Sequence, residues 1–481
     1  MSNILVGRHK EQVILKRALA SDESEMVAVL GRRRVGKTFL VRSVYGAQID
    51  LEVTGVQYIS SREQVDNFNF LMQRMLGNEK SIEPAKTWLA AFRQLILVLE
   101  KMPKIERKRI LFFDELPWLA GRKSGFLAAL GFFWNNWASK NNIVIIICGS
   151  AASWMIQKVV HHKGGLHNRI TKSIHLEPFT LAETEAFFKA KAVKLNRYQI
   201  AQIYMVMGGI PHYLKEVESG KSAIQNIDDI YFSKNGVLKD EFNKLYPALF
   251  ENEEHYIAII RALAKKWKGL TRAEIVKSAK LPEGGNTSRV IKELIHSGFV
   301  SAYYPFGQKK KKMLYRLTDE YSLFYLHFIE GKRSQESGMW TRLSQPPVYN
   351  SWSGYAFGNL CLKHIPQIKK ALEIGGVYSE SSSFIFKGDA NRKGIQIDLL
   401  IDRNDQVINL CELKFYRDQY RIDKSEAAAL RTKLDTFVTV SKTKKQVFLT
   451  FITSFGLVPN QHSIGLIDHH FSMDVLFEEV S

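Results

Sequence analysis

Three groups of residues in this chain have types and spacings that can act on phosphate. Gly31-Arg32-Arg33-Arg34-Val35-Gly36-Lys37-Thr38 places two glycines around four residues and closes on Lys-Thr. The glycines let the backbone turn so that successive N–H groups point at phosphate oxygens. A helix starting there adds the positive end of its dipole. Lys37 would reach the β- and γ-phosphates of a nucleoside triphosphate and Thr38 would hold Mg2+; Gly31 to Thr38, with Phe39, are the expected contacts. The second group is Asp114-Glu115, at the end of the apolar run Ile110-Leu111-Phe112-Phe113. Asp114 would join the Mg2+ shell, and Glu115 would polarise the attacking water as a general base. The third is Asp398 with Glu412-Leu413-Lys414, three charges inside otherwise apolar stretches, which are costly there unless paired or bound to metal.

The flanking patterns suit these tasks. Met26 to Leu30 is a short apolar strand before the first loop, and Phe39 to Tyr45 continues as a helix. Ile143 to Cys148 is wholly apolar, as in a parallel sheet covered on both faces, and ends at Gly149-Ser150. A polar residue past such a strand faces the ligand crevice of an open α/β sheet, so Ser150 is a γ-phosphate sensor, the N-cap of the next helix, or both. Arg8 precedes the first helix and is either a nucleotide contact or a linker charge. Arg169, after the His161 to His167 loop, is either an arginine finger or a surface residue. The three histidines of that loop have no neighbouring carboxylate or thiolate and do not read as a metal site. Trp118 to Lys140 reads as one helix.

Composition sets the limits. The chain has 481 residues, 45% hydrophobic and 24% charged, enough for two to four domains. No segment approaches the roughly 20 apolar residues of a membrane span, and the N-terminus lacks a signal-peptide layout. Three dispersed cysteines argue for a reduced, cytoplasmic protein. The net charge of +20 favours a polyanion, with DNA the expected partner; a basic surface without a specific partner is the plainer alternative. The sequence does not set the oligomeric state, and a homo-oligomer stays open.

Gly7-Arg8, the Gly31 to Thr38 loop, Phe113-Asp114-Glu115, Cys148-Gly149-Ser150, Leu176-Glu177-Pro178-Phe179 and Gly208-Gly209-Ile210-Pro211 together resemble the archaeal-type ATPase family, relatives of AAA+ and STAND NTPases. The resemblance implies an ATP site made by Lys37, Thr38, Asp114 and Glu115. The expected fold class is α/β: a P-loop parallel sheet (1–180), a helical lid (181–250), a winged helix (251–335) and a C-terminal α/β domain (336–481).

The winged helix is read from three helical stretches followed by two strands, 299–304 and 313–317, around a tip carrying Lys309 to Lys312. Ser288, Arg289, Lys292 and His296 lie on the third helix. This unit is either a DNA contact or a structural relay. Residues 336–353 read as a linker, followed by a helix from about Tyr355 to Leu372 that Pro366 breaks or kinks. Asp398 and Glu412 are equidistant from Asp405, so a hairpin there sets them side by side, while Glu412 and Lys414 share a face. This part resembles the PD-(D/E)XK nuclease fold, which implies Mg2+ on Asp398 and Glu412 and a water-activating role for Lys414. Gly358 stands where the family's helix glutamate is expected. That departure leaves two alternatives, a nuclease or a nuclease-like domain that only binds; the plainer one is an ion-pair cluster in an edge hairpin.

Overall fold

The structure is a computed structural model and describes residues 4–77, 83–121, 123–150, 152–156, 159, 166, 168–308, 313–332, 338–345 and 348–480. The chain divides into two compact units, residues 1–178 and 179–481.

The first unit runs α1 (His9–Ala20), β1 (Glu25–Leu30), α2 (Lys37–Tyr45), β2 (Ile49–Thr54), α3 (Ser61–Leu76), α4 (Trp88–Lys101), β3 (Arg109–Asp114), α5 (Leu116–Leu119), α6 (Phe126–Asn136), β4 (Ile143–Gly149), α7 (Ala152–Met155) and β5 (Lys172–His175). Its strands form one parallel sheet in the order β2-β3-β4-β1-β5. β1 and β4 are buried along their whole length, which is why β4, and β1 after its ion-paired Glu25, read as apolar runs. One face is sealed by aromatic packing of α3, α4 and α6, where Trp88 meets Phe126 edge-on at 4.7 Å. The single helix expected over 118–140 is instead α5 and α6 with a turn between them. Gly121 and Gly125 break it, and Gly125 caps α6 at φ 76°.

The second unit continues with α8 (Leu181–Ala190), α9 (Arg197–Met207), α10 (Pro211–Leu214), α11 (Ala223–Tyr231), α12 (Glu241–Leu245), α13 (Glu253–Ala264), α14 (Arg272–Ala279), α15 (Gly285–His296), β6 (Val300–Tyr303), β7 (Leu314–Leu317), α16 (Glu320–Phe328), α17 (Met339–Leu343), α18 (Val348–Lys363), α19 (Ile365–Ala371), β8 (Ser379–Gly388), β9 (Lys393–Arg403), β10 (Val407–Lys414), α20 (Lys424–Ser441), β11 (Gln446–Thr453) and β12 (His469–Ser472). β6 and β7 form an antiparallel ribbon. The last five strands order as β12-β11-β10-β9-β8, antiparallel from β8 to β10 and parallel from β10 to β12.

The linker expected over 336–353 is corrected: α17 and the start of α18 occupy it. Trp340 and Trp352 are buried there, and Asp228 accepts the backbone N–H groups of Gly338 and Trp340. The expected 355–372 helix is two, because α18 ends before His364 and Pro366 sits in the first turn of α19, where a proline is tolerated.

His364 ties α18 to α8. Its Nε2 accepts the Leu181 N–H at 3.0 Å, and its Nδ1 donates to the Leu360 carbonyl at 2.8 Å. Burial lowers this imidazole from the usual 6.5 to about 4. The unfolded chain therefore takes up the proton first, and stability present above pH 6.5 falls as pH drops toward 4. One such group accounts for about 3 kcal/mol across that window. Melting the parent and His364→Gln between pH 7.5 and 4.5 is expected to show a steeper fall in the parent; parallel curves would refute the assignment.

Candidate functional site

The nucleotide loop leaves β1 at Gly31, whose φ of 146° suits glycine alone. A Cβ there would lie 2.4 Å from the Leu176 carbonyl oxygen. Gly36, at φ 92°, caps α2. Lys37 is buried, and its ammonium donates to the Gly31 carbonyl at 3.0 Å and the Arg32 carbonyl at 2.9 Å. The Thr38 hydroxyl donates to Asp114 Oδ2 at 2.6 Å. The other carboxylate oxygen accepts the Glu115 N–H at 2.9 Å. Glu115 turns through a left-handed φ of 48°, and its Oε2 accepts from the Ser150 hydroxyl at 2.8 Å and the Ser150 N–H at 3.3 Å. The order β3-β4-β1 makes this convergence possible, since it sets the carboxyl ends carrying Asp114, Ser150 and Gly31 side by side. Of the two alternatives for Ser150, its hydroxyl is committed to Glu115.

The hard oxygens of Thr38 and Asp114, already within hydrogen-bond distance, fit a Mg2+ shell. Val35 and Arg32 are buried, Arg33 and Arg34 half-buried, and Phe39 exposed. Arg8 is buried and donates to the Glu177 carbonyl at 2.7 Å, next to the Leu176 that packs on Gly31. Gly55 was not singled out in the sequence. Its N–H reaches the Asp114 carbonyl at 2.9 Å, and a Cβ there would stand 2.6 Å from the Glu115 carbonyl oxygen; a glycine just past an alternating strand was the available signal. Cys148 is buried beside Asp114, and burial drives its thiol well above the usual range.

Arg169 lies away from the nucleotide loop of its own chain. It donates to Asn135 at 2.8 Å, and Thr171, two residues on, bonds Met26 at the start of β1. Gly31 lies past the far end of that strand, and at ~3.3 Å per residue the gap is on the order of 15 Å. The three loop histidines, His161, His162 and His167, lie outside the described residues.

Residues 5–217 match a family model described as an ATPase domain predominantly from Archaea. This part of the chain is similar to an archaeal-type ATPase domain. A curated relative, "Uncharacterized protein MJECL04" of Methanocaldococcus jannaschii, is 25% identical over 443 residues, covering 88% of this chain and 92% of its own. Among solved structures, the Walker-type ATPase paby2304 of Pyrococcus abyssi is 18% identical with a TM-score of 0.49, covering 67% of this chain and 96% of that one. The Aeropyrum pernix ORC2 protein, in ADPNP–ADP complexes, is 16% identical with a TM-score of 0.43, covering 67% and 93%.

Beyond the ATPase domain, the β9–β10 ladder pairs Ile408 with Asp402 through Cys411 with Leu399. Extended by one step, this register sets Glu412 opposite Asp398, as the spacing predicts. Glu412 and Lys414 nevertheless find partners of opposite charge on α20. Ser382 pairs with Leu400 but Phe384 with Ile397, so β9 carries one extra residue beside Asp398, and such a bulge re-aims side chains. Asp398 is exposed and accepts from Gln396 at 2.5 Å. Glu412 accepts from Lys433, and Lys414 lies 3.2 Å from Glu426, both partners on α20. β10 is the central strand, so the edge-hairpin alternative is corrected too. Among the described residues no three His, Cys, Asp or Glu side chains gather as a metal-binding group. The expected Mg2+ on Asp398 and Glu412 would have to displace Lys433, which donates to Glu412. A Cβ added at Gly358 would meet nothing within 4 Å.

On α15, Ser288 accepts from Arg272 at 2.8 Å, Arg289 donates to Asn286 at 3.0 Å, and Lys292 is exposed. Lys309 to Lys312 lie outside the described residues. Among those that are described, no helix is long and apolar enough to cross a membrane.

Proposed function

We propose that this chain is an ATP-driven, DNA-associated switch. In this reading residues 181–250 serve as lid, 251–335 as winged helix and 336–481 as a nuclease-like domain. The observation that carries the ATP half is the pairing of Thr38 with Asp114 at 2.6 Å beside Lys37 and Glu115. Lys37 would exchange its two loop carbonyls for phosphate oxygens when ATP binds. Glu115 would align the attacking water and take its proton as the bond between the β,γ-bridging oxygen and the γ-phosphorus breaks. Thr38 and Asp114 would hold Mg2+, which supplies charge neutralisation at the transferring phosphate. Ser150 would release Glu115 when its hydroxyl turns to the γ-phosphate. Arg169, remote from its own loop, would meet phosphate only in a neighbouring copy, which makes a homo-oligomer part of the proposal.

The DNA half is supported by the net charge of +20 and by the exposed Lys292 on α15. The succession of an antiparallel β8–β10 meander, the α20 crossover and the parallel β11 supports a nuclease-like topology. Anisotropy of a labelled duplex, titrated with protein at 50 and 200 mM salt with and without ATP, tests the association. Six or more phosphate contacts should weaken binding by about 10³-fold between those concentrations. Affinity that ignores salt and nucleotide alike would refute it.

A further inference from the structure

The Glu-x-Lys pair on β10 meets a matching pair on α20. β10 ends Glu412-Leu413-Lys414, and α20 presents Glu426 and Lys433 to it. Glu412 accepts from Lys433, and Lys414 stands 3.2 Å from Glu426. The two rungs cross in sign: anion on the strand against cation on the helix, then the reverse. The spacing explains how. Residues 412 and 414 are two apart on one strand face, about 7 Å, while 426 and 433 are two helical turns apart, about 10 Å. The helix runs back along the strand, so the later helix residue meets the earlier strand residue.

The register of α20 is not set by these charges. Ala427, Leu430 and Phe437 bury one stripe of it against the sheet core built by Leu400, Ile408, Leu410 and Leu449. Lys433 flanks that stripe, so packing delivers its ammonium to Glu412. Tyr420 completes the second rung. Its hydroxyl donates to Glu426 at 2.6 Å, and the Lys414 ammonium lies 5.7 Å from its ring centre. Glu412 and Lys433 are both mostly buried, with side chains 12% and 24% exposed. A divalent ion would need to displace Lys433 and strand its charge, and breaking a shielded pair is costly. Asp398, the other carboxylate such an ion would need, stands opposite Glu412 by the register of β9 and β10, so Lys433 is what keeps the pair from a shared ion.

We infer that Lys433 is the built-in cation of Glu412, standing where a divalent metal would sit, so that the C-terminal domain engages nucleic acid without cutting it. Glu412 and Lys414 then dock the crossover helix. The inference rests on the nuclease-like topology proposed above and departs from it at the metal.

The test is a titration of nucleotide-free full-length protein with Mn2+, followed by calorimetry. The parent should bind no Mn2+ that Glu412→Gln removes. Lys433→Met should gain one site at least about tenfold tighter than any in the parent, and Lys433→Met/Glu412→Gln should lose it. Lys433→Gln, which keeps a donor for Glu412, replaces the methionine variant if that melts early. A stoichiometric Mn2+ site in the parent that Glu412→Gln abolishes would overturn the inference, as would Mn2+-dependent DNA cleavage lost in that variant. Failure of Lys433→Met to gain a site would overturn the placement of Lys433 in the metal's position. The titration contains no DNA, so absent duplex binding would count against the nucleic-acid proposal alone.

Discussion

Lys37→Ala should bind ATP about 10- to 100-fold more weakly than the parent and lose hydrolysis with it, since a hydrogen bond with a charged partner contributes about 1.5–3 kcal/mol and each 1.4 kcal/mol is tenfold. Lys37 is buried and donates to the Gly31 and Arg32 carbonyls. Those neutral acceptors leave a full positive charge for a triphosphate to answer, in a place where low dielectric strengthens the attraction. Alanine removes that charge together with two hydrogen bonds that hold the loop. Each such bond is worth about 1 kcal/mol net, so a modest fall in melting temperature should accompany the binding loss. Fluorescent-nucleotide titration measures the affinity. Parent-like affinity in a folded Lys37→Ala protein would remove the loop from the nucleotide site.

Glu115→Gln separates binding from chemistry. Glutamine keeps the length and an acceptor oxygen for the two Ser150 donors, at 2.8 and 3.3 Å, so the site should hold its shape. It cannot take a proton from water. General-base catalysis contributes about 10²- to 10⁴-fold, and single-turnover hydrolysis should fall within that range while ATP affinity stays near the parent's. A rate that does not change would transfer the proton to another group. Equal loss of affinity and rate would recast Glu115 as a binding residue.

The nucleotide half was legible because its chemistry is local. A glycine loop must follow a strand and open a helix, and its Asp-Glu partner must end a buried strand; both requirements are written in runs of a few residues. What was hidden depended on distant pieces. Gly55 matters only because β2 lies beside β3, and the place of Arg169 depends on which end of the strands its loop reaches, which sequence order does not say. In the last domain the hairpin centre at Asp405 was readable by counting. The bulge beside Asp398 was not, since one extra residue leaves the alternation almost unchanged while re-aiming a side chain. Glu426 and Lys433 also passed unnoticed: charges on a helix flank look like solvent-facing ones until the packing of the stripe next to them is known. The 336–353 stretch was misjudged because polar and proline residues outnumber two tryptophans that anchor it.

The contact between Gly31 and Leu176 has a mechanical side. Gly31 abuts the Leu176 carbonyl, and the Leu176 N–H is bonded to Leu30 at 2.7 Å. The phosphate cradle and the segment that ends this unit at Pro178 are thus stitched together at adjacent residues. A displacement of Gly31 would bear directly on the Leu176 peptide. A side chain larger than glycine at position 31 would therefore do more than block phosphate: it would push on the Leu176 carbonyl and loosen the bond by which the last segment of this unit holds to Leu30.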